Sequence, residues 1–194
     1  MVIRMDDRYK ECSDETLMEL TKNNDTQAFK ALVERYGRMA YSLALKLLGD
    51  PADAQDLSQE AIIRAYKARK KYDPERPFAA WFKTILINLI RNHVKKGKVR
   101  GNYKRRIQAE HNAVGADLAV TPDYILESNR RKESVWAAIN KLSIEHREII
   151  VLRHFEDLSY EDIAELLDIP LGSVMSRLYY ARKKLKKILG SESE

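Results

Sequence analysis

Between Arg177 and Lys187 the chain holds six basic residues and no acid. A one-sided field of that density suits contact with nucleic-acid phosphates. Val174, Leu178, Ala181, Leu185 and Ile188 recur at helical spacing. The opposite face carries Ser173, Ser176, Arg177, Tyr180 and Lys184, with Arg182 and Lys183 in the same basic run. A helix divided in this way fits the major groove. Its first polar residues reach base edges, and the cations further along meet phosphates. The competing reading is a helical hairpin with a merely solvated charged face. The absence of any acid favours DNA.

A second basic run, Arg91 to Arg106, has eight Lys or Arg and no acid. It prolongs a predicted helix beginning at Phe78. Thr84, Asn88, Arg91, Asn92 and Lys95 share one side of that helix, away from its aromatic residues. Asn offers both donor and acceptor to a base edge, and Arg and Lys hold phosphates. Such a face can take an unpaired strand, although basic runs are more often solvated faces. A third feature has the opposite sign. From Leu47 to Ile63 there is no Lys or Arg, while Asp50, Asp53, Asp56 and Glu60 are present with Gln59. Acids in a first turn favour the helix dipole, which accounts for Asp50 and Asp53. It does not account for Asp56, Gln59 and Glu60, which suit a basic protein partner.

Acid–base catalysis by these carboxylates is discounted, because no histidine, nucleophile or phosphate-cradling glycine loop accompanies them. His93, His111, His146 and His154 lack metal-ligand spacing, and Cys12 is the only cysteine. No cofactor, metal or small-molecule substrate is expected.

The elements that must position these residues are all helical. A short helix is predicted around Leu17 to Leu20. A helix capped by Asp25 presents Phe29, Leu32, Val33, Tyr36, Ala40, Leu43 and Leu47, and Gly49 stops it. Asp50-Pro51 starts the next, with Leu57, Ala61, Ala65 and Ala68 as a thin inner stripe. The helix from Phe78 buries Phe78, Trp81, Phe82, Ile85 and Leu89. Residues 97–123 have no sustained period and read as a linker with a helical turn near Ile107 to Ala113. Periodicity returns near Tyr124. Val135, Ile139 and Leu142 form one stripe. Ser143 caps a helix presenting Ile149, Leu152 and Phe155. Ser159 and Asp162 make a capping box for a short helix, and Pro170 forces the turn before the basic helix.

The expected fold is therefore all-α: two small helical domains joined by a flexible linker, the C-terminal one a helix-turn-helix bundle. The expected divisions are an N-terminal extension at 1–24, a first domain at 25–96, a basic linker at 97–128, the helix-turn-helix domain at 129–190 and a tail at 191–194. The chain is 194 residues long with a formal net charge of +6, which suits a polyanionic partner. It has no apolar run long enough to cross a bilayer and no signal-peptide core at its start. Membrane insertion is not expected, and a cytoplasmic location is.

In this order and spacing, "DAQDLSQEAIIRAY", "RPFAAWFKTILINLIRNHVKK" and "LSIEHREIIVLRHFEDLSYEDIAELLDIPLGSVMSRLYYARKKL" resemble the extracytoplasmic-function (ECF) group of sigma-70 transcription initiation factors. The resemblance runs from about Asp25 to Leu189. It implies a non-catalytic promoter-specificity subunit of bacterial core RNA polymerase. Asp53, Asp56, Gln59 and Glu60 would sit on the polymerase clamp helices. Thr84, Asn88, Arg91, Asn92 and Lys95 would hold the non-template strand of the −10 element, with Asn88 at a flipped-base pocket. Ser173, Ser176, Arg177, Tyr180, Arg182, Lys183 and Lys184 would read the −35 duplex. An anti-sigma protein would be the regulating partner. The chain departs from the family at Met175, where a basic residue is common, and at Tyr180, where Arg or His is. Two other readings remain at this point: a stand-alone helix-turn-helix regulator at duplex operators, and a recombinase with an appended helix-turn-helix. The first leaves the acidic helix and the Phe78 helix without a role. The second needs a serine nucleophile among arginines, which the first half does not offer.

Overall fold

A computed structural model describes residues 7–104 and 134–190, with 7 and 98–104 described by backbone alone. Every element among the described residues is helical. In the first bundle α1 spans Asp14–Lys22, α2 Thr26–Leu48, α3 Pro51–Ala68 and α4 Phe78–Lys104. In the second, α5 is described over 134–140, α6 spans Ile144–His154, α7 Tyr160–Leu167 and α8 Leu171–Gly190. The helical turn expected at Ile107 to Ala113 and the restart near Tyr124 lie outside the described residues.

Local chemistry sets most helix ends. The Asp25 carboxylate accepts from the Gln27 and Ala28 amides and from the Tyr9 hydroxyl. Asp50 accepts from the Asp53 amide at 2.8 Å, with Pro51 in the first turn. Ser159 and Asp162 bond reciprocally, the capping box that the sequence predicts. Ser143 stands at the cap position of α6, but its side chain makes no capping bond. Gly49 ends α2 at φ 73°, in the left-handed region, and a Cβ there would lie 3.1 Å from the Asn140 side chain. Gly49→Ala is therefore expected to cost about 1–2 kcal/mol from the backbone conformation, and more from crowding α5. A urea-unfolding midpoint indistinguishable from wild type would refute this.

Three features differ from the sequence reading. First, α1, which the sequence reading assigns to an N-terminal extension, packs into the bundle core: Leu17 and Met18 are fully buried, and Tyr36 of α2 donates to Asp14. Second, the buried stripe of α3 is Ala54, Ser58, Ala61 and Ala65, with Leu57 and Ala68 half-buried beside it. Small side chains let α3 lie close along α2. Third, α4 continues to Lys104, beyond the expected linker start at Gly97, because isolated glycines such as Gly97 and Gly101 lower helix propensity without ending a helix.

The two bundles pack against each other and share one contiguous hydrophobic core. α6 lies on α2, and α7 lies on α4. Five successive residues of α6, Glu148 to Leu152, are buried, as expected of a helix enclosed on all sides. On α4, Ile87 lies between Lys83 and Arg91 on one side and is 1% exposed.

Candidate nucleic-acid interface

The aromatic half of α4 fixes the height of its polar face. Phe78 stacks on Phe82 at 5.7 Å and meets the edge of Tyr36, while Trp81 meets Tyr72 edge-on. Phe82, Leu86 and Ile90 are fully buried. Asn88, Asn92 and Lys95 are exposed on the other side, one or two turns apart. Thr84 is half-buried and donates its hydroxyl back to the Ala80 carbonyl at 3.0 Å, so it is engaged within its own helix.

Arg91 corrects the sequence reading. It does not lie free beside Asn88 and Asn92. Its guanidinium donates to Glu148 of α6 through Nε at 2.9 Å and Nη2 at 2.8 Å, and through Nη1 to the Leu167 carbonyl at 3.3 Å. The Glu148 carboxylate is fully buried. Burial pushes its pKa above the usual carboxylate range, and Arg91 pulls against that. Arg147 of α6 makes the reciprocal contact, donating to the Leu47 carbonyl in the last turn of α2 at 2.7 Å. Each bundle thus supplies a cation to a helix C-terminus of the other, where carbonyls lack intrahelical partners. Glu156 adds two ion pairs across the junction, to Lys46 at 3.1 Å and Lys83 at 3.3 Å. Between the bundles an open cleft of about 440 Å³ is lined by Arg91, Val94, Ile144, Glu148, Leu167 and Arg177.

On α8 the outermost residues include Ser176, Tyr179, Tyr180 and Lys183. Arg182, Lys183 and Lys184 are exposed, and Arg182 reaches His154 of α6 at 3.2 Å. Burial and the nearby Arg182 and Arg153 lower the His154 pKa. Ser173 is half-buried, and the Ser176 hydroxyl donates back to the Gly172 carbonyl at 2.9 Å. Arg177 is half-buried and faces the cleft, not the outer face.

The acidic residues of α3 share an outward face but are not equally available. Asp53 pairs with His93 of α4 at 3.0 Å, and Glu60 accepts from Arg64 at 2.7 Å, which holds its carboxyl below the usual range. Asp56 and Gln59 are exposed. Beside them stands Ile63, 46% exposed, which charge reasoning passes over. Its signal was an apolar residue one turn beyond Gln59 on a polar face. An apolar anchor rimmed by charge is the usual anatomy of a protein-binding patch. Among the described residues there is no cluster of three metal-ligating side chains and no helix long and apolar enough to cross a membrane.

Comparison with known proteins assigns this arrangement. Residues 32–100 match sigma-70 region 2, and residues 132–185 match sigma-70 region 4. RNA polymerase sigma-H factor of Pseudomonas aeruginosa is 31% identical over 91% of this chain and 93% of its own length. ECF RNA polymerase sigma factor SigW of Bacillus subtilis is 31% identical over 87% and 92%. The chain belongs to the ECF sigma factors. Its fold is also that of CnrH, solved in complex with the cytosolic domain of CnrY, at TM-score 0.65 and 24% identity over 93% of this chain and 99% of that one. The RpoE of Bartonella quintana, solved with the anti-sigma factor NepR, matches at TM-score 0.65 and 24% identity over 84% and 96%. Within this sigma factor the region 2 match runs from α2 into α4 and contains the acidic face and the Asn88 face. The region 4 match contains the helix-turn-helix of α7 and α8. α1 precedes both matches, although it completes the first core.

Proposed function

We propose that this sigma factor acts as a promoter-specificity subunit in the cytoplasm, without catalytic activity of its own. Asp56, Gln59 and Glu60, with Asp53 at the edge and Ile63 as the apolar anchor, bind core RNA polymerase. Asn88, Asn92 and Lys95 take the unpaired non-template strand of the −10 element, and Arg91 joins them when Glu148 releases it. The outer face of α8, with Arg182, Lys183 and Lys184, holds the −35 duplex. An anti-sigma protein is the regulating partner, in keeping with the Bartonella quintana RpoE solved with the anti-sigma factor NepR. The observation that carries this reading is the exposed Asn88–Asn92 face of α4, set above a buried aromatic core. A stand-alone operator-binding regulator would use α8 and leave that face idle.

The test is run-off transcription from a genomic library with bacterial core polymerase, with and without the protein. New starts that depend on the protein are expected. Tight operator binding by the protein alone, with no new starts, would replace this reading with the regulator. The polymerase face has its own test. Asp56→Lys with Glu60→Lys is expected to weaken core binding, measured by fluorescence anisotropy, while the helical fold persists. Both residues are solvent-accessible, so the reversals act through encounter and register more than through stability. Unchanged affinity would remove α3 from the interface.

A further inference from the structure

Four large apolar side chains stand exposed on α8: Leu171 at 41%, Met175 at 54%, Tyr179 at 62% and Tyr180 at 55%. Leu171, Met175 and Tyr179 are four residues apart and form one ridge, which Lys183 and Lys187 continue at the same spacing. The ridge is therefore apolar where α8 begins and cationic where it ends. Tyr179 meets Tyr180 edge-to-face at 5.3 Å and 78°, which restrains both rings.

Exposed apolar groups of this size on a helix otherwise rich in cations call for an occupant. From Leu171 to Gly190 there are six basic residues and no acid, so the occupant is a polyanion that also offers apolar groups. The major groove of duplex DNA does both. Its phosphates meet the cationic end, and the C5-methyl of thymine is the apolar group on its floor. In the closed form Arg177 faces the cleft and the Ser176 hydroxyl is bonded to Gly172, and the side chains of the ridge that project most are Met175 and Tyr179. We propose that Met175 and Tyr179 read the −35 element through thymine methyl groups, so that this sigma factor's upstream specificity rests largely on apolar contact. This deepens the promoter reading above and depends on it.

The experiment starts with full-length protein and bacterial core polymerase, selecting promoter duplexes with a randomised −35 window and a fixed −10 element. Each thymine of the selected window is then replaced by deoxyuridine, which removes the methyl and keeps the hydrogen-bonding edge. Wild-type holoenzyme is expected to lose about fourfold in affinity per contacted methyl, the size of one apolar carbon taken out of contact. Met175→Ala should bring the thymine-to-uracil ratio close to one at its position. Lys183→Ala should weaken both duplexes alike and keep the ratio. A selected window that binds equally well with thymine or uracil would overturn the methyl readout and leave the promoter reading standing. Selection of no window at all would overturn that reading itself. A dimer of the full chain in sedimentation, dissolved by Met175→Ala, would assign the ridge to a second copy instead.

Discussion

Arg91→Ala is expected to part the two bundles. Glu148 is fully buried, and Arg91 donates to both of its oxygens, which offsets part of the cost of burying that carboxylate. Removing one partner of a buried pair typically costs about 3–5 kcal/mol, because the remaining charge has neither water nor a counter-charge. Here the cost has an outlet. α6 can lift from α2 and α4, and Glu148 then regains water. The remaining polar ties include the Glu156 pairs with Lys46 and Lys83 and the Arg147 bond to the Leu47 carbonyl, and none of these holds a fully buried carboxylate. Small-angle scattering should show a larger radius of gyration for Arg91→Ala than for wild type. The double variant Arg91→Ala/Glu148→Leu, which removes both charges and keeps an apolar volume, should return to the compact form. Equal radii for all three proteins would show that the shared core alone holds the bundles together.

Promoter geometry makes this separation matter. Elements centred roughly 25 base pairs apart lie roughly 85 Å apart along a duplex at ~3.4 Å per pair. Arg91 and Arg177, from the two proposed DNA-binding helices, line one cleft in the docked form. On the proposed reading, docked bundles would not occupy both elements at once. Opening would also, on that reading, exchange the carboxylate partner of Arg91 for a DNA phosphate, so the closed form and strand capture would compete for one guanidinium. Glu148→Gln removes the charge on the α6 side and leaves Arg91 intact. It is the variant in which faster association with core polymerase is expected.

Asn88→Ala should leave polymerase binding and closed-complex formation nearly intact and impair melting of the −10 element. Phe78, Phe82 and Leu86 hold α4 rigidly against the first core, so Asn88 stands at a fixed height with its amide exposed. A base reaches that amide only after leaving the stack, which costs a few kcal/mol that pocket contacts must offset. A two-point amide-to-base contact is worth about 1–3 kcal/mol, so melting is expected to slow roughly 5- to 150-fold. A template already mismatched open across the element should recover much of the loss, because the unstacking has been done in advance. Permanganate footprinting and transcription on paired and pre-opened templates decide the matter. Normal melting, or an equal defect on both templates, would make Asn88 an ordinary surface residue.

By itself the sequence determined what local chemistry controls. The caps at Asp25, Asp50 and Ser159, the stop at Gly49 and the turn at Pro170 each depend on a few adjacent residues. The apolar stripe of α8 and the exposed Asn88, Asn92 and Lys95 follow from the helical period, which tells one face from another. The tertiary structure decided which polar residues on those faces are already engaged. Arg91 and Arg177 lie in basic helices like their neighbours, yet one is bonded to a carboxylate 57 residues away and the other faces an interdomain cleft. One trace of this was present in the sequence. The run Ile149 to Leu152 is apolar on every side, more than a helix with a single partner needs, and it marks α6 as covered twice. What covers its second side, and where Glu148 finds its counter-charge, no helical period can specify. Both depend on how two separately patterned bundles meet.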